Sequence, residues 1–444
     1  MLKAVSALQL DNCPKESILN YFENAWELES ILLKTIIGED TFYHSPDKLR
    51  NPLIFYLGHC PAFYINKLIA VNLLEKRLNS DFELLFSVGV DPTTADELKT
   101  KTHNLKWPAL TPVWQYRNQA HEVIKTLIEN SVFNHPITPH DPMWALIMGI
   151  EHQRIHFETS SMLLRQLPVS HLQRPRDWHY APSHGEIPVN RMIPIAGGDV
   201  EIGKPQDCAL YGWDNEYGRR GVKVKPFRVS QYMITNGEFK KFVDEGGYEN
   251  QDNWDEGSWR WKNAHNVKYP KFWLVDDYGN YQYRAMFDIM DLPLDWPVEV
   301  NHYEAMAYCR SQGEGVRLMG EAEWNLLVYG DGEKAVDDTD RYNLNLKFCS
   351  PSPVGMLSEA KNCQGIYDLR GNVWEWLGDN FNPFQGFEPH HLYKDYSAPY
   401  FDLEHKMLLG GAWVTHGTAA LPYYRNWFRP NFYQHAGFRI AQDI

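Results

Sequence analysis

Two histidines stand one helical turn apart in the run Glu151-His152-Gln153-Arg154-Ile155-His156-Phe157-Glu158. At roughly 100° and 1.5 Å per residue, positions i and i+4 of a helix share a face, close enough for one metal ion to accept both imidazoles. Met148, Gly149, Ile155 and Thr159 lie on the same face, which therefore looks into a helical interior rather than at water. A lone core histidine is commonly satisfied by hydrogen bonds. Two desolvated imidazoles must both find partners, and a cation serves both at once.

Two histidines rarely complete a catalytic metal site, so a second element must contribute. His59, in Tyr56-Leu57-Gly58-His59-Cys60-Pro61, sits in a strongly apolar stretch that a neighbouring helix can bring opposite the pair. His121 is the rival, but Gln119, Glu122 and Lys125 around it mark a wetter face. The expected ligands are therefore His59, His152 and His156. Three neutral imidazoles on one side of an ion leave the other side open. Zinc there makes a hydrolase or thiol transferase, whereas iron(II) uses the open positions for oxygen and a substrate thiolate. Spacing does not separate the two metals. Glu158, roughly 200° around the helix from His156, is expected behind the ligands, paired with Arg154 or with another helix.

The elements that must position these groups follow from the apolar period. Asp141 and Pro142 read as an N-cap and a first-turn proline of a helix running through the histidine pair to Leu167. Lys15 to Ile37, Pro52 to Leu74 and Val113 to Ser131 carry the same 3.6-residue pattern. Together they predict a four-helix bundle over residues 1–170, an architecture whose core commonly houses metal sites. Residues 171–190 are rich in Pro, His and Arg without an apolar period and read as a linker. From 191 to 444 the texture is aromatic, turn-dense and lightly helical, with strands expected over Met192–Gly198 and Val222–Ser230 and helices near His302–Gln312 and Gly320–Leu327. The fold class expected is α+β.

Composition limits the partners. A chain of 444 residues exceeds what one core supports, about 250 to 300 residues, so two domains are expected. A formal net charge of -14 and the lack of a long basic run argue against nucleic acid or an acidic membrane. No run approaches 18 apolar residues, and six cysteines without C-x-x-C spacing fit a reducing cytoplasm.

On these residues a resemblance emerges. His152-x-x-x-His156-x-Glu158 with the upstream His59 resembles the DinB-type bundle of the iron(II)-dependent sulfoxide synthases of ergothioneine and ovothiol biosynthesis. The second domain is similar to the formylglycine-generating-enzyme fold, a C-type-lectin-like architecture. The segments that carry this are Pro297–Asn301, Arg317–Trp324, Gly371–Trp376, Gly410–Trp413 and Ala436–Arg439. Each alone reads as a fold marker of turn glycines and core tryptophans. Formylglycine generation itself is disfavoured, since no cysteine pair follows Gly411.

Within that family Asn51–His59, Leu210–Gly218 and Phe432–Arg439 look most like the ovothiol branch, which joins cysteine to C5 of free histidine. Ile155 stands where the ergothioneine pattern has glutamine, and Phe428 where it has the aspartate of an Asn-Trp-Asp segment. A carboxylate helps hold a quaternary ammonium and Phe428 cannot, so free L-histidine is favoured over its trimethylated form, hercynine. The resemblance implies Fe(II) as cofactor and L-cysteine, L-histidine and dioxygen as substrates, with methylation and lyase steps left to separate enzymes. It makes Tyr393, in Leu392-Tyr393-Lys394-Asp395-Tyr396, a catalytic phenol able to supply a proton, with Tyr396 lining the same pocket. Arg425, Asn426, Trp427 and Arg429, beside Phe428, resemble a substrate-binding segment. Arginine binds α-carboxylates bidentately, although either arginine equally suits a structural ion pair.

Overall fold

The computed structural model describes residues 3–87, 89, 96–98, 105–329 and 338–444. They divide into two compact units, one of residues up to Trp178 together with Ala209–Tyr211, the other of His179–Cys208 and Gly212–Ile444. The division falls inside the stretch expected as a linker. Its first half is held to the first unit, where Leu172 bridges Ile36 and Trp178 is buried.

The first unit is a helical bundle of α1 (Lys15–Leu33), α2 (Leu53–Ala70), the short α3 (Ser80–Leu85), α4 (Leu110–Asn130) and α5 (Trp144–Arg165). In α1 Ile18, Tyr21, Phe22, Ala25, Leu28, Glu29 and Leu32 are buried, the i, i+3, i+4 stripe of a helix with one covered face. Helix α2 is buried nearly all round, from Leu53 through Ile65, because it packs against α3, α4 and α5 together. Close approach of α2 and α5 requires Gly149: a Cβ there would stand 2.3 Å from the Tyr64 ring. The segment 209–211 joins this unit through the Leu10 amide, which donates to the Ala209 carbonyl at 2.6 Å, and through Tyr211, whose ring lies 4.6 Å from that of Trp144.

The second unit mixes four small sheets with four helices among the described residues. Its strands are β1 (Met192–Ile195), β2 (Gly198–Ile202), β3 (Arg220–Val224), β4 (Phe227–Ser230), β5 (Trp273–Val275), β6 (Tyr281–Arg284), β7 (Ile289–Asp291), β8 (Val316–Leu318), β9 (Trp374–Asn380), β10 (Lys406–Leu409), β11 (Asn426–Phe428), β12 (Ala436–Gly437) and β13 (Ile440–Asp443). The helices are α6 (Asn236–Asp244), α7 (Glu256–Ala264), α8 (His302–Ser311) and α9 (Glu321–Tyr329). The sheets run β1-β4-β13-β8, β11-β10-β9-β12, β5-β6-β7 and the pair β2-β3. Together the two units make an α+β chain.

Two expected strands are shorter or divided. The first ends at Ile195, and Val222–Ser230 is two strands with Lys225 and Pro226 between them, because proline has no amide to give the ladder. Helices α6 and α7, not expected from the sequence, begin at strong caps: Thr235 and Glu238 form a reciprocal box, and Asp255 accepts from the Ser258 amide. Of the segments that carried the family resemblance, Pro297–Asn301 and Gly371–Trp376 are buried throughout. Trp374, Glu375, Trp376 and Leu377 of β9 are all buried, and Glu375 pairs with buried Arg439 at 3.0 Å. Arg439 also donates to the carbonyls of Ser230, Gln231 and Tyr367, tying three segments together.

Candidate metal centre

His59 leaves α2 where a neighbouring residue clears the way for its partner. A Cβ on Gly58 would stand 2.5 Å from the Phe86 ring, so only glycine lets Phe86 settle against the helix there. The Phe86 carbonyl then accepts a hydrogen bond from His59 Nδ1 at 2.6 Å. That bond places the proton on Nδ1 and turns the Nε2 lone pair inward.

Opposite, His152 and His156 project from one face of α5. The Nε2 atoms of His59 and His156 are 3.2 Å apart. One ligand atom from each of His59, His152 and His156 lies within 4.8 Å of the others. Phe63, one turn beyond His59 on α2, stacks on His152 with ring centroids 3.6 Å apart and planes 4° from parallel. Phe55 stacks on His59 at 4.7 Å. The planes of His59 and His152 are thus set by packing or by a hydrogen bond.

The donor set fits a metal ion. With bonds of about 2.1 Å, two nitrogens on one ion stand about 3.0 Å apart at a right angle and about 3.4 Å apart at the tetrahedral angle, and the observed separation lies between these. His156 Nδ1 is buried without a hydrogen-bond partner, the state of a ring held by its other nitrogen. Burial lowers the pKa of all three rings, and for His152 the neighbouring His156, His59 and Lys67 lower it further, so the imidazoles are neutral and ready to coordinate. His59 and His152 are buried while Ile155, His156 and Thr159 are partly exposed, which makes this side of α5 the open face.

His121 is not part of this group. Its Nε2 pairs with Glu23 at 2.8 Å and its Nδ1 with Glu122 at 3.1 Å, on the outer side of α4. Glu158 is buried, and Arg154 does not run along α5 towards it: the Arg154 guanidinium lies 3.7 Å over the Tyr21 ring and donates to the Tyr21 carbonyl on α1.

In the second unit Tyr393, Tyr396 and Trp427 come together. Tyr396 stacks on Trp213 at 4.1 Å, lies 5.4 Å from the Tyr393 ring and meets Trp427 edge-on at 5.3 Å. Ser397 donates to the Asp214 carboxylate at 2.6 Å, so Trp213 and Asp214 together grip the two residues after Asp395. Burial, followed by Tyr400, Asp395 and Asp214, raises the Tyr393 pKa and keeps the phenol protonated.

The other residues of the predicted substrate segment turn elsewhere. Arg425 is buried; its Nε donates to Glu321 at 2.7 Å and its remaining nitrogens to the Asn215 and Asn382 carbonyls, which commits the guanidinium to the scaffold. Arg429 pairs with the exposed Glu404. Phe428 stacks on Phe432 at 4.6 Å, and Asn426 accepts from the Trp427 amide. The sequence reading missed Phe63, Phe86, Asp214 and Ser397. Phe63 carried a signal in its i+4 spacing from His59, and Asp214 in lying within the segment Leu210–Gly218.

Comparison with known proteins follows from these features. The family described as the sulfatase-modifying factor enzyme 1-like domain matches residues 180–444. A Neurospora crassa protein named Ergothioneine biosynthesis protein 1 is 24% identical across 96% of this chain and 58% of its own length. Its namesake in Schizosaccharomyces pombe is 25% identical across 99% of this chain and 56% of its own. The Hercynine oxygenase of Mycobacterium tuberculosis is 33% identical across 54% of this chain and 57% of its own. The chain therefore spans a little over half the length of each of these relatives.

Proposed function

This chain belongs to the sulfatase-modifying factor enzyme 1-like family, and from that premise we propose that it is an iron(II)- and oxygen-dependent sulfoxide synthase that forms a carbon–sulfur bond between a thiol and an imidazole. The observation that carries the reading is the gathering of His59, His152 and His156 by two helices of the bundle. The names of its relatives, an ergothioneine biosynthesis protein and a hercynine oxygenase, support the same chemistry.

Bound iron(II) would supply open coordination positions for oxygen and a substrate thiolate. The chain's own residues do the rest. His59, held in one tautomer by the Phe86 carbonyl, and the buried pair His152 and His156 contribute no negative charge, which favours a thiolate over a thiol as bound substrate. Tyr393 Oη would lend a proton to the oxygen as it is reduced and take one back as the thiol and imidazole hydrogens leave in water, so no net proton is consumed; its raised pKa keeps the phenol protonated at neutral pH. Trp213 and Asp214 hold the loop that bears it.

The finer reading joins L-cysteine to free L-histidine, as in ovothiol formation. Phe428 supports it: the ring stacks on Phe432 and offers no carboxylate to a quaternary ammonium. A second reading, coupling to hercynine, has the relatives' names behind it. Iron-loaded protein given cysteine with histidine or with hercynine under oxygen, and its products identified by mass and NMR, separates the two. Exclusive turnover of hercynine overturns the histidine reading. A purified protein that holds zinc and consumes no oxygen in the presence of cysteine overturns both, and leaves a zinc-dependent thiol transferase or hydrolase.

A further inference from the structure

Behind the three histidines runs a chain of buried polar groups that the proposed chemistry does not use. Glu29 of α1 pairs with Arg117 of α4 at 2.8 Å, both side chains at or below 1% exposure. The same carboxylate oxygen accepts from Gln153 Nε2 at 2.7 Å, and Gln153 Oε1 accepts from the Tyr64 hydroxyl at 3.0 Å. Arg117 is further held over the Trp26 ring at 4.4 Å and donates to Ser30 on α1.

The position of this network is informative. Gln153 is the neighbour of His152 on α5. Side chains one residue apart on a helix diverge by about 100°, so the network is anchored to the same turn as His152 but points away from it. It touches all four long helices of the bundle: Glu29 on α1, Tyr64 on α2, Arg117 on α4 and Gln153 on α5. An apolar interface tolerates sliding and repacking, whereas a chain of polar contacts from Tyr64 through Gln153 to the Glu29–Arg117 ion pair is satisfied in a single register.

We infer that the Glu29–Arg117–Gln153–Tyr64 network is the positioning device of the metal centre. It fixes the α2–α5 register so that His59 and His156 stand at ligand spacing before any ion arrives. The inference rests on the reading that the three histidines hold a metal. The four residues are positioning residues and do not touch the ion or the substrates.

Metal affinity and geometry test it, with thermal stability as the control. Wild-type protein, Gln153→Leu, Tyr64→Phe and the triple variant Glu29→Leu/Arg117→Met/Gln153→Leu are titrated with Co(II), following its d–d absorption, and melted without metal. The triple variant replaces the polar chain with apolar side chains, a change that is commonly neutral or stabilising to the fold. Tyr64→Phe removes one hydroxyl and keeps the ring packed on Gly149. Expected are a Kd at least tenfold higher for Gln153→Leu and the triple variant, an altered Co(II) spectrum and, for Tyr64→Phe, a smaller rise in Kd. A variant that melts like the wild type and binds Co(II) within twofold of it, with the same spectrum, overturns the inference. A wild-type protein that takes no Co(II) instead overturns the three-histidine reading beneath it.

Discussion

Nε2 of His59 faces Nε2 of His156 at 3.2 Å, and the Nδ1 of His59 is already committed to the Phe86 carbonyl. A metal entering between them displaces no hydrogen bond to the protein other than the one between the rings. Metal at 100 times its Kd should therefore stabilise the chain by about 2.7 kcal/mol. In His156→Ala or His59→Ala that increment should vanish, which melting with and without Fe(II) or Co(II) under anaerobic conditions reads directly.

Gly58→Ala should act on the site without touching a ligand. The new Cβ meets the Phe86 ring at 2.5 Å and pushes away the residue whose carbonyl holds His59. Overpacking of this kind costs about 1–3 kcal/mol, and loss of a group that orients a ligand lowers metal affinity about 10- to 100-fold. Denaturation and metal titration of one variant measure both; unchanged affinity would show that the Phe86 carbonyl does not orient the ring.

Arg425→Met should appear in stability rather than in substrate affinity. Its guanidinium is spent on Glu321 and two backbone carbonyls, and removing one member of a buried pair costs about 3–5 kcal/mol. A variant with unchanged melting temperature and a raised KM for either substrate would return Arg425 to the substrate site.

Tyr393→Phe keeps the ring near Tyr396 and Trp213 but removes the proton. Sulfoxide formation should fall about 10²- to 10⁴-fold, with Co(II) affinity unchanged because Tyr393 is not among the three gathered histidines. Product analysis against the wild type checks it, and undiminished product formation would leave Tyr393 an aromatic anchor.

Glu304 sets a pH dependence in the second unit. Burial raises its pKa from the ordinary 4.5 to about 7, while Tyr248 and the Asn301 amide donate to it. Between those values the folded chain holds the proton and the unfolded chain does not, so stability falls as pH rises from 4.5 towards 7 and levels off above. The loss from this group amounts to about 3 kcal/mol. Glu304→Gln should flatten that limb in chemical denaturation at pH 5, 6, 7 and 8; an unaltered slope would place the titration elsewhere.

The gathering of His59, His152 and His156 was legible in the sequence because helical geometry is local. An i, i+4 pair puts His152 and His156 on one face of the helix whatever surrounds them, and the apolar stretch around His59 marks a helix buried nearly all round. Helices α1, α2, α4 and α5 stand within a few residues of their expected bounds for the same reason. What the linear pattern could not carry was decided by contacts between distant residues. The Phe86 carbonyl reaches His59 across 27 positions, Gln153 reaches Glu29 across 124, and Asp214 holds Ser397 across 183. Arg425 is an acceptable carboxylate clamp until Glu321, 104 positions away, folds against it. Periodicity states which face of an element is buried; only packing states which partner it is buried against, and that partner decides whether a charged or aromatic side chain serves the scaffold or the site.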